Sequence, residues 1–136
     1  MSLAQQNKLI VSPAEQISVK HGESTKATIK VATLPGFHVN SDKPKDEFLI
    51  PLSLTWTSGP LQTQAVVYPK PEELKLGNET LSVFTGKFTI ETQFKAPEGA
   101  PAGTTAMIGK LRYQACNNQM CFRPSTVEVR LPVSVE

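Results

Sequence analysis

Val127-Glu128-Val129-Arg130-Leu131-Pro132-Val133-Ser134-Val135 carries valine or leucine at every odd position, with Glu, Arg, Pro and Ser between them. A period of two sends one row of side chains into a core and the other into water, the mark of a half-buried β-strand. Pro132 has no N–H to give to a ladder, so this strand is expected to run at a sheet edge or to bulge there. The same alternation recurs upstream. Ala27, Ile29 and Val31 alternate with Lys26, Thr28 and Lys30; Leu52, Leu54 and Trp56 alternate with Ser53, Thr55 and Thr57. Phe88, Ile90 and Phe94 share a parity opposed to Lys87, Glu91 and Gln93. Weaker strand signals cover Lys8–Val11, Gln64–Tyr68 and Thr105–Ala115. Turn formers separate the runs: Leu34-Pro35-Gly36, Ser58-Gly59-Pro60, Gly77-Asn78 and Pro97-Glu98-Gly99. Roughly seven or more short strands at such spacing predict an all-β, immunoglobulin-like antiparallel β-sandwich, with Trp56, Phe88, Ile90 and Phe94 in its core. Only Pro71-Glu72-Glu73-Leu74-Lys75-Leu76 reads as a helical turn, which Gly77 would end.

The chain has 136 residues, enough for one domain that folds without staples or metals. Its formal net charge of +2 comes from scattered lysines and arginines, with no basic stripe for nucleic acid. No apolar run approaches the ~20 residues of a membrane-spanning helix. The first residues are too polar for a secretory signal. Met1-Ser2-Leu3 reads as a leftover of expression, and residues 4–136 as a single domain excised from a longer native chain. There is no G-x-S-x-G, no Gly-rich phosphate loop and no H-E-x-x-H.

The chemistry lies in Leu111-Arg112-Tyr113-Gln114-Ala115-Cys116-Asn117-Asn118-Gln119-Met120-Cys121-Phe122-Arg123-Pro124, which holds both cysteines of the chain. Strand-like sequence flanks the segment, and Asn117 and Asn118 tolerate the left-handed conformations of tight turns. A hairpin with a four-residue connection sets Cys116 against Cys121, and opposed strand residues have α-carbons ~4.5–5.5 Å apart, within disulfide range. As a staple such a bond would be weak. A ring of about six residues contributes about 2 kcal/mol in the unfolded-state account, against about 4.7 for a loop of 100. The residues alone leave a redox pair and a local structural disulfide in an interaction module evenly balanced. A third reading has Cys116, Cys121 and Met120 offer soft sulfur to Cu(I) in a copper-binding domain, but nothing completes the ligand set. Otherwise no metal and no cofactor is expected. His38 on its own reads as a turn or surface histidine.

Tyr113-Gln114-Ala115-Cys116 with Cys121-Phe122-Arg123-Pro124 resembles the active-site hairpin of the N-terminal periplasmic domain of the bacterial thiol:disulfide interchange protein DsbD. Gly36-Phe37-His38-Val39-Asn40-Ser41-Asp42-Lys43-Pro44 and Phe84-Thr85-Gly86-Lys87 resemble further segments of that family, and the likeness runs in order from about Ile10 to Val135. The resemblance implies an immunoglobulin-like fold and a periplasmic setting, as a domain of an inner-membrane protein. It implies a relay that receives electrons from thioredoxin-like proteins or domains, including the membrane and thioredoxin-like domains of the same native chain. Those electrons pass on to disulfide isomerases and cytochrome c maturation proteins. It assigns Cys116 and Cys121 as the catalytic pair, with Cys121 forming the mixed disulfide and Cys116 resolving it. Phe84 matches the family's cap phenylalanine, and Val83, Tyr113, Phe122, Pro124 and His38 are expected to frame the site. Phe84 lies between Ser82 and Thr85-Gly86, ahead of the alternation that starts at Lys87. It is therefore expected to shield the cysteines from outside the core, on a loop that Gly86 leaves free to swing. Two features depart from the family pattern. Four residues separate the cysteines where the best-known members have five, and Ser82-Val83 replaces an acidic pair, so carboxylate-assisted proton transfer at the site would need Glu79 to substitute.

Overall fold

The computed structural model describes residues 8–136; the expected leftover Met1-Ser2-Leu3 lies outside them. Strand β1 covers Leu9–Val11, β2 Ile17–Val19, β3 Ser24–Thr33, β4 His38–Asn40, β5 Ser53–Ser58 and β6 Gln62–Val67. Strand β7 covers Glu72–Leu76, β8 Glu79–Phe84, β9 Lys87–Lys95, β10 Gly103–Tyr113, β11 Ala115–Cys116 and β12 Ser125–Val135. They form three four-stranded sheets, ordered β1-β3-β9-β6, β2-β12-β10-β5 and β11-β4-β8-β7. Among the described residues no helix is long and apolar enough to cross a membrane.

The first two sheets enclose the core, and the alternating rows read from the sequence are the rows that meet there. Ala27, Ile29 and Val31 from β3 and Ile90 and Phe94 from β9 are buried with Leu54, Leu111, Val129, Leu131 and Val133 from the second sheet. Thr92 breaks the apolar row of β9, yet it is fully buried. Its hydroxyl accepts the Trp56 indole N–H at 2.9 Å, so the buried polar group has a partner across the sandwich. The Trp56 ring also meets Phe94 edge-on at 5.2 Å. Trp56 further explains Gly109: a β-carbon there would lie 2.8 Å from the indole, at the irregularity between β10 and β5.

Pro132 is accommodated as expected. The strand β2 joins β12 only at Val133–Val135, so at Pro132 β12 is still an edge. That β2–β12 pairing is parallel, the one exception to the antiparallel pattern among the described strands.

Two local expectations are corrected. Glu72–Leu76 is a strand, not a helical turn, because Leu74 and Leu76 alternate with Glu73 and Lys75 and pair with β8 through Gly77-Asn78. The chain at Gly86 is not free to swing. Its positive φ of 68° makes the β8–β9 turn, its N–H donates to Thr33 Oγ1 at 2.8 Å, and its carbonyl accepts Thr33 N–H at 3.0 Å.

Candidate functional site

The third sheet carries the cysteines. Its strand β11 ends at Cys116, and the chain returns through Asn117-Asn118-Gln119-Met120 to Cys121, which bridges back to Cys116 antiparallel. The two sulfurs are bonded at 2.06 Å and the α-carbons are 4.0 Å apart. Backbone bonds close the hairpin independently of the sulfurs: Phe122 N–H donates to Ala115 O at 2.8 Å, and Asn117 N–H to Met120 O at 2.9 Å. No non-glycine residue among those described has a positive φ, so the left-handed turn expected at Asn117 and Asn118 is not used. The Asn117 side chain holds the turn instead, its Oδ1 accepting the N–H groups of Gln119 and Met120 at 2.8 Å each.

The two cysteines differ in access. Cys116 is 3% exposed, while Cys121 is exposed on the outer limb of the hairpin. The asymmetry leaves Cys121 as the more accessible residue of the pair.

Register across the sheet decides what faces the pair. Cys116 pairs with His38, and Ala115 with Val39; Val39 then pairs with Phe84, and Asn40 with Val83. Directly paired residues point to the same face, and neighbours along a strand to opposite faces. Cys121, Cys116 and His38 thus form one row, with Asn40 and Val83 in the next row on the same face. Ala115, Val39 and Phe84 point the other way, into the core.

This placement corrects one expectation for Phe84. It is 2% exposed, belongs to the main core cluster, and stacks on Phe88 with ring centres 4.9 Å apart. It is a core residue because β8 continues through it and pairs with the buried β4, so the chain there is strand and not an exposed loop. Val83, its neighbour, is the aliphatic side chain on the cysteine face, and it is buried. Glu79 does not stand in for the family's carboxylates. It sits at the far end of β8 opposite Leu76, four residues from Val83, or roughly 13 Å along a strand.

Of the other framing candidates, Tyr113 is buried and packs in the main core cluster at the end of β10. It also lines a small cavity of about 240 Å³ with Lys8, Ala115, Phe122, Arg123 and Ser125. Phe122 is half-buried beside the hairpin, edge-on to Phe37 at 5.8 Å, with the Lys8 ammonium 4.6 Å over its ring. Pro124 is exposed past the hairpin. His38 is buried, not a surface histidine. Its Nε2 finds no hydrogen-bond partner among the described residues, and burial lowers its pKa below the ordinary histidine value.

One residue escaped the sequence reading although it stands inside the quoted motif. Gln114 Oε1 accepts from Asn40 Nδ2 at 3.0 Å and from Ile50 N–H at 3.1 Å, and Gln114 Nε2 donates to Phe122 O at 3.3 Å. A single amide thus ties β4, the 41–52 connection and both limbs of the cysteine hairpin. The spacing Y-Q-x-C marks the position, but only the folded register shows what a side-chain amide does there. Among the described residues no three His, Cys, Asp or Glu side chains gather as a metal site.

The comparisons with known proteins point the same way. The family described as "Thiol:disulfide interchange protein DsbD, N-terminal" matches residues 5–132. The N-terminal periplasmic domain of ScsB from Proteus mirabilis superposes with a TM-score of 0.65 at 14% identity, over 96% of this chain and 49% of that one. The N-terminal domain of Neisseria meningitidis DsbD in its reduced form gives 0.53 at 14% identity, over 79% of this chain and 77% of that one. The Bacillus cereus major pilin subunit BcpA gives 0.52 at 11% identity, over 93% of this chain and 40% of that one. At such identities these likenesses establish a shared fold. The chain spans about half the length of the ScsB domain. No curated protein sequence matches it.

Proposed function

Because the chain belongs to the family of N-terminal domains of the thiol:disulfide interchange protein DsbD, we propose that it is a periplasmic electron relay working through Cys116 and Cys121. Thiol–disulfide exchange is the chemistry of the family. The observation that carries the residue assignment is the asymmetric pair, Cys121 exposed and Cys116 buried, on a hairpin that its own backbone bonds already hold.

In the receiving half-reaction a partner thiolate attacks Cys121 Sγ, and the electron pair of the broken S–S bond leaves on Cys116 Sγ. A second partner thiolate then attacks the partner's own sulfur in the mixed disulfide. The partner leaves oxidised and the domain carries two thiols. In the delivering half-reaction Cys121 attacks a downstream protein disulfide, and Cys116 displaces the product. No cofactor takes part. The partners are thioredoxin-like periplasmic proteins or domains, including a membrane domain and a thioredoxin-like domain on the same native chain at the inner membrane. Downstream lie disulfide isomerases and cytochrome c maturation proteins. The isolated domain acts as a protein-disulfide reductase only when such a donor reloads it. Tyr113, Phe122 and Pro124 frame the hairpin, Val83 covers the buried sulfur's face, and Phe84 supports that strand from the core side.

The test is trapping. A Cys116→Ala protein, its Cys121 thiol free, should displace the leaving thiol from a thioredoxin-like partner whose reactive cysteine is activated as a mixed disulfide with an aromatic thiol, giving a lasting protein–protein disulfide, and Cys121→Ala should not. Adducts through Cys116 alone would reverse the assignment. A pair that glutathione buffers cannot reduce without unfolding the domain would make the disulfide a structural staple.

A further inference from the structure

Both half-reactions move a proton at Cys116, and that residue is buried on the sheet face that Val83 shares. Ser82, the neighbour of Val83, points to the other face, and its Oγ is bonded to the buried Ser41 hydroxyl at 2.8 Å. The side chain that the fold does put beside Cys116 is His38, its register partner on the adjacent strand. Paired positions in antiparallel strands carry β-carbons ~4.5–5.5 Å apart, which makes His38 and Cys116 neighbours on one face of the sheet. His38 is 3% exposed, and its Nε2 is buried without a hydrogen-bond partner among the described residues. A buried polar atom left unsatisfied is costly, which points to a partner that this state does not supply.

Resting on the relay reading above, we propose that His38 Nε2 is the proton acceptor for the Cys116 thiol when Cys116 resolves the mixed disulfide. Cys116 S–H gives its proton to the neutral imidazole as Cys116 Sγ attacks Cys121 Sγ. The Cys116–Cys121 bond forms, the bond from Cys121 to the partner's sulfur breaks, and its electron pair leaves on that sulfur. The proton then passes to the departing thiolate or to water. In sum the partner disulfide is reduced to two thiols and the pair is oxidised. Burial lowers the His38 pKa below the ordinary histidine value, so the imidazole is neutral at neutral pH, though a weaker base than in water. The charged groups on the packed elements are otherwise engaged. Glu72 of β7 shares the sheet face but accepts the Thr85 hydroxyl. On the 41–52 connection Lys45 pairs with Glu73, Asp46 accepts the Phe48 N–H, and Asp42 acts on Tyr68, while Lys43 and Glu47 are exposed. Lys8 and Arg123 line the cavity on the Ala115 side.

The test follows the reduced domain reacting with oxidised glutathione, quenched in acid and read by mass spectrometry. Attack at Cys121 appears as a glutathione adduct, and resolution by Cys116 as its loss. For the unaltered protein the resolution rate should fall in acid as His38 protonates and stay level between about pH 7 and 8. In His38→Gln it should be at least tenfold slower at pH 7, since general-base assistance is typically worth about 10²–10⁴-fold. It should then climb with pH and approach the unaltered protein in alkali, where thiolate forms without the help of a base. Adduct formation should be unchanged. Equal rates at pH 7, or a slowing of the same size at every pH, would overturn the proton role while leaving the relay intact. If His38→Gln does not fold, the pH profile of the unaltered protein decides: a rate rising without a level region overturns the proposal. Failure of Cys116→Ser to form any adduct at Cys121 would overturn the relay itself, and the role of His38 with it.

Discussion

Phe84→Ala separates a core phenylalanine from a shield over the cysteines. Phe84 is almost wholly buried in the main core cluster and stacked on Phe88. Burial of a phenylalanine side chain is worth about 1.5–3 kcal/mol, and an aromatic pair about 0.5–1.5 more. Truncation of a core phenylalanine typically costs about 3–5 kcal/mol once the residual cavity is included. Phe84 also lines an open groove of about 620 Å³ with Phe88, Lys30, Lys70 and Glu72. Water can therefore enter the space left behind, which trims the cavity contribution. The expected loss is about 3 kcal/mol, or roughly 10 °C in Tm for a domain of this size. Urea unfolding of the oxidised domain, with the disulfide intact in both proteins, measures it. The second measurement is the rate at which glutathione reduces the pair in the native state without urea. Because Phe84 points away from Cys116 across the sheet, that rate should change by less than about twofold, while Val83→Ala on the cysteine face should raise it more. A loss under about 1 kcal/mol together with a several-fold faster reaction would refute the assignment to the core and restore Phe84 as a shield.

Further outcomes can be checked with the same preparations. Reduction of Cys116–Cys121 should lower stability by no more than about 2 kcal/mol, with an unchanged far-ultraviolet circular dichroism spectrum, because the ring is short and the hairpin keeps its backbone bonds. Gln114→Ala should cost about 1–2 kcal/mol and speed hydrogen exchange at Ile50 N–H, since that donor and the Phe122 carbonyl both lose a partner. Gly109→Ala should cost about 1–3 kcal/mol by driving a β-carbon into the Trp56 ring, visible as a shifted tryptophan emission. The pKa of His38 is lowered in the folded state, so the unfolded chain binds the extra proton first. Stability from this group is complete above the unfolded value near 6.5 and is lost as pH falls from there through the folded value; His38→Gln should flatten that part of the stability–pH curve.

The parts of the fold that could be read from the sequence are those where one face is wet. In β3, β9 and β12 the polar rows Lys26, Thr28 and Lys30, Lys87 and Glu91, and Glu128 and Arg130 point to solvent, so burial prints itself as a period of two. The third sheet offers no such contrast. His38, Val39 and Asn40 of β4 are all buried, two of them polar, and nothing in a histidine–valine–asparagine triplet says strand. Glu72–Leu76 is made of good helix formers with a glycine after them, and pairing with β8 overrides that propensity. The cysteines could be found because C-x4-C between strand-like flanks has few uses. The residues that set their surroundings, Gln114, Asn40 and His38, could not, because what each does depends on a neighbour 10 to 78 positions away.

The placement of the disulfide on this third sheet has an energetic consequence for exchange. A redox site that also held the core together would make each turnover a partial unfolding, against a total stability of about 5–15 kcal/mol for a domain. Here the two sheets that enclose the core are joined by Trp56 on Thr92, by Trp56 on Phe94 and by interlocked aliphatic rows, none of which includes a cysteine on its apolar face. The hairpin is anchored from its own backbone and from Gln114, whose bonds run to β4 and to the 41–52 connection and do not involve sulfur. Opening the S–S bond releases about 2 kcal/mol of ring constraint at most, and the anchors that remain keep Cys116 opposite His38 and Cys121 at the surface. Under the proposed assignment the resolving thiol is thus still aligned when the mixed disulfide forms. Proximity of this kind is what the fold supplies to the reaction.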